Sequence, residues 1–283
     1  MRADIGIIGG SGFYSFFGSG RGAAERVEVD TPFGPPSAPL TVGEVAGRRV
    51  AFLPRHGLAH EFAPHRVNYR ANLWALASVG VEQVLAPCAV GSLRPDLGPG
   101  ALVVPDQVVD RTYRDGHTVW DSGLPPAQGP GPVVHVPFAD PYCGRGRAAL
   151  LASASDDTPL TDGGTLVVIN GPRFSSRAES RWHAAQGWSV VGMTGMPEAS
   201  VARELALCFT TVCAVTDMDA GLEGEAGVTH AEVLRAFGGT IERLKALLLR
   251  TIGRLEAPGS DCACRHALDG LDLPFGLPAP PAP

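Results

Sequence analysis

Short apolar runs alternate along this chain with longer segments whose apolar positions recur every three to four residues. The first kind reads as buried strands and the second as helices packed on them, the pattern of an α/β sheet. Strands are expected over 4–8, 48–53, 83–90, 101–109, 165–170, 188–193 and 209–216. Helices are expected over 66–79, 145–153, 176–186, 198–207 and 229–255. Two helix starts carry the S/T-x-x-E capping pattern, Ser176 with Glu179 and Thr229 with Glu232. Pro197 suits a first helical position, and Glu198 beside it would complement the helix dipole. Gly238-Gly239 should kink or loosen the last helix. The Gly- and Pro-rich stretch 115–145 is too long for a simple turn and reads as a functional loop or an oligomer contact. From Leu273 to Pro283 the chain is mostly Pro and Leu, and regular structure is not expected there. No internal repeat or linker stands out, so one domain over 1–283 is expected, ending in that Pro-rich tail.

Composition narrows the picture. With 283 residues, 45% hydrophobic and 18% charged, the chain can bury a full core. A net charge of -6 argues against a nucleic-acid scaffold. Lys245 is the only lysine and falls in a late helical pattern, which disfavours lysine nucleophiles and Schiff bases. No run of 18 apolar residues occurs, and the chain enters Ile5-Gly6-Ile7-Ile8 without an export-type leader. A cytoplasmic location with no membrane partner is therefore expected. Six cysteines occur, at 88, 143, 208, 213, 262 and 264, in no zinc-type spacing. Isolated cysteines in apolar strands are usually small buried hydrophobes, and Cys262-Ala263-Cys264 would close a strained ring as a disulfide. Reduced thiols and no metal are expected.

Candidate chemistry clusters at the expected strand ends. Gly171-Pro172-Arg173-Phe174-Ser175-Ser176-Arg177-Ala178-Glu179-Ser180 follows the run Leu166-Val167-Val168-Ile169. A rigid turn carrying an aromatic suits a planar ring, although a plain strand-to-helix connection with a buried Phe has the same pattern. Gly9-Gly10-Ser11-Gly12 after the first strand can aim N–H groups and a hydroxyl at an anion. Ser15 replaces the third glycine of G-x-G-x-x-G, and the Walker lysine is missing. Arg55-His56 ends the second strand as either an anion clamp or ordinary surface. His60 and His65 nearby fit no metal spacing. Asp217 and Asp219 close the strand 209–216, where open α/β sheets place ligands, though such a pair can equally be a solvated turn or a cap.

In this order along the chain, from about residue 4 to 255, these segments resemble the trimeric purine nucleoside phosphorylase family. The likeness is strongest to its 5′-methylthioadenosine phosphorylase branch. That resemblance implies a three-layer α/β/α fold around a mixed, partly barrel-like sheet, assembled as a homotrimer. It implies phosphorolysis of an adenine nucleoside, with inorganic phosphate as co-substrate and no cofactor. Phosphate would be held by Ser11, Arg55, His56, Thr194 and the backbone N–H of Ala89. Cys88 stands where the branch usually has Thr, replacing a hydroxyl by a weaker thiol donor. Phe174 and Ser175 belong to the base- and sugar-binding set, and Met193 to the floor beneath the ribose. Asp217 and Asp219 match the acidic pair of the adenine-specific branch, the first bonding N7 and the 6-amino group. The 6-oxopurine branch carries Asn there and Glu at the place of Ser175. Breaking the glycosidic bond pushes negative charge onto the purine, so a proton from Asp217 to N7 would stabilise the leaving base. That needs a carboxyl kept protonated near neutral pH, by burial and by Asp219. Phosphate would then attack C1′ with inversion.

The resemblance also picks out the pocket around the sugar 5′ group. His135 matches a residue supplied by a neighbouring subunit, although on its own it reads equally as a satisfied strand histidine. His230 and Val233 lie in the matching segment of the last helix, where methylthioadenosine phosphorylases generally place an apolar residue at the position of His230. A histidine there narrows the gap between methylthio and hydroxyl substrates. Leu273 to Leu277 would fold over the same pocket, as in relatives. The competing readings are a 6-oxopurine phosphorylase, a dinucleotide-binding oxidoreductase, and a non-catalytic nucleotide binder.

Overall fold

The computed structural model of the protein describes residues 2–10, 24–120, 133–220, 230–257, 259 and 261–280, with the backbone alone over 230–237. Eleven strands among these residues form one mixed sheet. β1 (Ile5–Gly9) lies between β4 (Arg48–Pro54) and β5 (Gln83–Ser92) and is parallel to both. β11 (Cys208–Met218) runs parallel along the other edge of β5. Because β5 is long, its first edge is shared between β1 near its start and the antiparallel β10 (Val190–Gly192) near its end. From β10 one branch continues through β9 (Thr165–Ile169) to β7 (Gln107–Arg111). From β11 the other reaches β6 (Leu102–Val104) and β8 (Thr161–Asp162). Beyond β4, β3 (Leu40–Val45) and β2 (Glu25–Val27) add antiparallel. The sheet thus branches at β5 and stays open, so the expected barrel character is limited to this fork.

Alternation along the strands sends side chains to two faces, and both are covered. Ile5, Ile7, Phe52, Leu85, Val212 and Ala214 pack beneath α2 (Gly144–Leu151) and α5 (His230–Arg254). Ile8, Leu53, Ala86, Val90, Cys213 and Val215 join the opposite core with α1 (Tyr69–Ser78) and α4 (Gly195–Glu204). These are the three layers the resemblance implies.

Each helix and strand foretold by the pattern is present, with one correction. The run 101–109 breaks at Pro105, which has no N–H for a ladder, into β6 and β7, and these join different branches. The capping box on α3 (Arg177–Ala185) forms: Ser176 Oγ accepts from the Glu179 N–H at 3.3 Å, and Glu179 Oε2 accepts from the Ser176 N–H at 2.7 Å. Thr229 of the second capping pattern lies outside the described residues, and α5 runs through Gly238-Gly239 without a break. β2, β3 and β8 are not foretold. β3 and β4 meet at Ala46-Gly47, whose φ angles of 51° and 73° are those of a two-residue hairpin turn. Ala46 occupies the place where Asn or Asp would have announced it. Among the described residues, no helix is long and apolar enough to cross a membrane.

Candidate active site

β4, β1, β5 and β11 lie side by side and parallel, so their carboxyl ends share one edge of the sheet. A cleft of about 460 Å³ opens there. Arg55, His56, Cys88, Ala89, Phe174, Ser175, Met193, Thr194, Asp217 and Asp219 all line it. Gly10 lines it too, while Ser11 and the side chains of His230 and Val233 lie outside the described residues. His135 is exposed and does not line the cleft of the single chain. None of residues 273–277 is among the described residues that line the cleft. Phe275 instead packs on Trp74 and Trp120, with ring centroids 6.0 and 5.0 Å apart.

At one end of the cleft Arg55 is fully buried and rigidly held. Its Nε and Nη2 donate to the two carboxylate oxygens of Glu198 at 2.6 and 3.0 Å. Nη1 donates to the Pro87 carbonyl and Nη2 to that of Ile8, both at 3.2 Å. One Nη1 N–H stands outside these bonds among the described residues, close to Gly10 on the cleft wall. Burial alone would lower the pKa of Arg55, but Glu198 outweighs it and raises the guanidinium above its usual value. Burial likewise raises the Glu198 carboxyl, against the pull of Arg55. Two N–H bonds to an always-charged guanidinium nevertheless keep it a carboxylate. Glu198 is therefore more than a dipole-complementing first-turn residue. Only the fold brings it to Arg55, 143 positions away.

His56 lies 2.8 Å through Nδ1 from the Phe62 carbonyl, and its ring stacks on that of His60 with centroids 4.6 Å apart. Burial, then the charge of Arg55, lowers its pKa to about 4. His56 is thus neutral at neutral pH, with Nδ1–H donating to the carbonyl and Nε2 left as an acceptor. Thr194 precedes α4 but makes no cap bond with its hydroxyl. Met196 is non-helical, so the regular helix begins at Pro197, as its chemistry suggests. Cys88 turns its sulfur toward β11, 3.7 Å from Thr211 Oγ1 and from Cys213 Sγ. Its thiol pKa is lowered, first by Cys213 and then by Arg55, with burial opposing.

The other end is built by an irregularity. β11 pairs with β5 in regular register up to Val215 opposite Val90, but Gly91 is then opposite Asp217 rather than Thr216. This bulge is one that parallel pairs rarely carry, and it re-aims Asp217 into the cleft. Thr216 Oγ1 lies 2.7 Å from Asp217 Oδ2 and fixes the carboxyl plane. Gly91 supplies the room, since a Cβ there would stand 2.9 Å from Asp217 Oδ1. Asp219 is buried and accepts from Ser180 Oγ at 2.5 Å. The Ser175 hydroxyl, in the same cleft, is buried and has no hydrogen-bond partner among the described residues.

Between the two ends Arg114 acts as a tie that the sequence did not single out. It is buried, and it donates to the carbonyls of Pro64, Ile169, Asn170 and Met193 at 2.9–3.3 Å and to the Tyr69 hydroxyl at 2.9 Å. Three walls of the cleft thus share one guanidinium. No local pattern marks it, because its partners are carbonyls from distant segments.

Comparison with known proteins agrees with this architecture. The phosphorylase superfamily profile matches residues 4–253. A purine nucleoside phosphorylase of Streptomyces coelicolor is 59% identical over 98% of this chain and 99% of its own. An S-methyl-5′-thioadenosine phosphorylase of Mycolicibacterium smegmatis is 55% identical over 97% of this chain and 99% of its own. Among solved structures, a methylthioadenosine phosphorylase from an antarctic soil metagenomic library superposes with a TM-score of 0.85 at 34% identity, covering 95% of this chain and 92% of the other. One from Schistosoma mansoni, in complex with adenine, gives 0.82 at 36% identity over 90% of this chain and 93% of its own. With the profile and full-length relatives agreeing on the fold that frames this cleft, the chain belongs to the phosphorylase superfamily.

Proposed function

We propose that this chain cleaves the N-glycosidic bond of 5′-methylthioadenosine, or a related 5′-modified adenine nucleoside, with inorganic phosphate. The products are adenine and the 5-modified ribose 1-phosphate. The observation that carries this reading is the bulge at Thr216 beside Asp217, in a cleft that Asp217 lines together with Ser175, Arg55, His56 and Thr194. Asp217 protonates N7 and accepts from the 6-amino group, and Asp219 supports it. Phe174 and Ser175 flank the base, and Met193 lies under the ribose. Phosphate takes the N–H of Arg55 and Ala89 and the hydroxyls of Thr194 and Ser11. Neutral His56 accepts a phosphate O–H through Nε2. The dianion stabilises the cationic sugar and attacks C1′. No organic cofactor takes part in this reading. A panel of nucleosides assayed with and without phosphate tests it: adenine should leave methylthioadenosine only when phosphate is present. Phosphate-independent release, or none, overturns the reading.

The Streptomyces coelicolor relative carries a different name, purine nucleoside phosphorylase, and this favours testing inosine in the same panel. Asp217 and Ser175 favour adenine over a 6-oxopurine. His230 and Val233 face the sugar 5′ group in this reading. Adenosine turnover should be appreciable, and His230→Val should shift kcat/KM about tenfold toward methylthioadenosine, the scale of one polar contact. Equal discrimination by both proteins removes His230 from the 5′ pocket.

Gly91→Ala gives a separate check on Asp217. The new Cβ must displace Asp217 Oδ1, so kcat/KM should fall about 100-fold while Tm moves by only a few degrees. We further infer a cytoplasmic homotrimer. His135 is exposed, and Val133 two positions before it is 80% exposed, as suits a segment met by a neighbouring copy that takes His135 into its 5′ pocket.

A further inference from the structure

Four of the six cysteines meet at one point. Cys143 immediately precedes α2, Cys208 opens β11, and Cys262 and Cys264 lie in the turns after α5. All four are buried, and their sulfurs lie within 4.8 Å of one another. Cys262 Sγ is 3.9 Å from Cys143 Sγ and 3.4 Å from Cys208 Sγ. These contacts span 119 and 54 positions, so no spacing motif reveals them.

Disulfides would gather the sulfurs in twos, each pair about 2.05 Å apart. Here the thiols are free and all four share one centre. Zinc held by four thiolates at about 2.3 Å places the sulfurs about 3.8 Å apart, and the observed separations bracket that value. The N–H groups of Gly146 and Arg145 at the start of α2 act as donors to the Cys143 sulfur, and the Arg203 guanidinium is near enough to act on Cys264. Such donors offset the negative charge that a tetrathiolate centre carries.

We propose that Cys143, Cys208, Cys262 and Cys264 form a tetrahedral site for a structural zinc ion. On binding, four S–H bonds give way to four S–Zn bonds and four protons pass to solvent, leaving a centre of net charge −2. Four protein ligands close the coordination shell, so neither water nor substrate reaches the metal. None of the four lines the cleft, and Cys208 and Asp217 stand at opposite ends of β11. What the ion would staple is the segment after α5. The Glu256 and Ala257 carbonyls there already accept from Gln83 Nε2 at 2.7 Å and Arg145 Nη2 at 3.2 Å, and Arg265 pairs with Glu82 at 2.6 Å. The same segment leads to Phe275 on Trp74 and Trp120. The proposal stands independently of the catalytic reading.

The test is elemental analysis of the full chain, produced with zinc in the medium and purified with reductant but without a chelating tag. About one zinc per chain is expected, released as an organomercurial titrates the cysteines. Cys262→Ser/Cys264→Ser should lose the metal, with Tm lowered on the order of 10 °C. Should that variant fail to fold, cobalt exchange into the unaltered protein decides. Thiolate-to-cobalt charge transfer with intense tetrahedral d–d bands supports the site, and an octahedral spectrum overturns it. Protein isolated without zinc, with iron in its place, or with these cysteines paired as disulfides in the unreduced chain also overturns it.

Discussion

Asp217→Asn is expected to lower kcat/KM for 5′-methylthioadenosine by about 10³-fold, with Tm and secondary structure unchanged. The amide keeps the size of the side chain and the plane set by Thr216, 2.7 Å away, so nothing in the packing is disturbed. What disappears is the proton. General acid catalysis contributes about 10²–10⁴ in rate, and an amide has no proton to deliver to N7. Its NH2 group would also meet the 6-amino group donor to donor, whereas a 6-oxo group would accept from it. Inosine should therefore gain on methylthioadenosine in relative kcat/KM. Single-turnover rates on the two nucleosides measure both effects, and undiminished adenine release would transfer the acid role away from Asp217.

Glu198→Ala should have the largest effect on stability. Arg55 is 2% exposed and Glu198 1%, and removing the carboxylate leaves a guanidinium buried with only two carbonyls to accept from it. Breaking such a pair costs about 3–5 kcal/mol, or roughly 10 °C in Tm for a chain of this size. The double variant Arg55→Met/Glu198→Ala should regain much of that loss, since no charge then remains buried, yet stay defective in phosphate use. Thermal melts of the three proteins beside the phosphate KM separate the two roles. Equal melting of Glu198→Ala and the unaltered protein would show that the pair is not what holds this end of the cleft.

The position of Glu198 shows where local reading ends. Its place two residues after Met196 marks a helix start, and a carboxylate there complements the dipole on general grounds. That it reaches Arg55, which follows β4, depends on where α4 is set against α1 and β11, which no window of sequence contains. Arg114 is legible for the same reason only in the fold, since its acceptors, four backbone carbonyls and the Tyr69 hydroxyl, come from segments far apart in the chain. The base end is different. Asp217 and Ser175 could be singled out by their resemblance to a known segment, but the bulge at Thr216 that aims the acid comes from a register between two strands.

By itself the sequence determined the order of the helices and of the central strands, the capping of α3, the helix start at Pro197, and which strand ends carry polar chemistry. Those features follow from side-chain periodicity and local hydrogen bonding within a few residues. Only the tertiary structure decided that β6 and β7 part at Pro105, that Ala46-Gly47 closes a hairpin, and that Arg55 is spent largely on Glu198. It also gathered four cysteines that the chain keeps far apart. Those outcomes depend on contacts between distant segments, whose partners are chosen by packing the two faces of one sheet, and packing leaves no periodic trace along the chain.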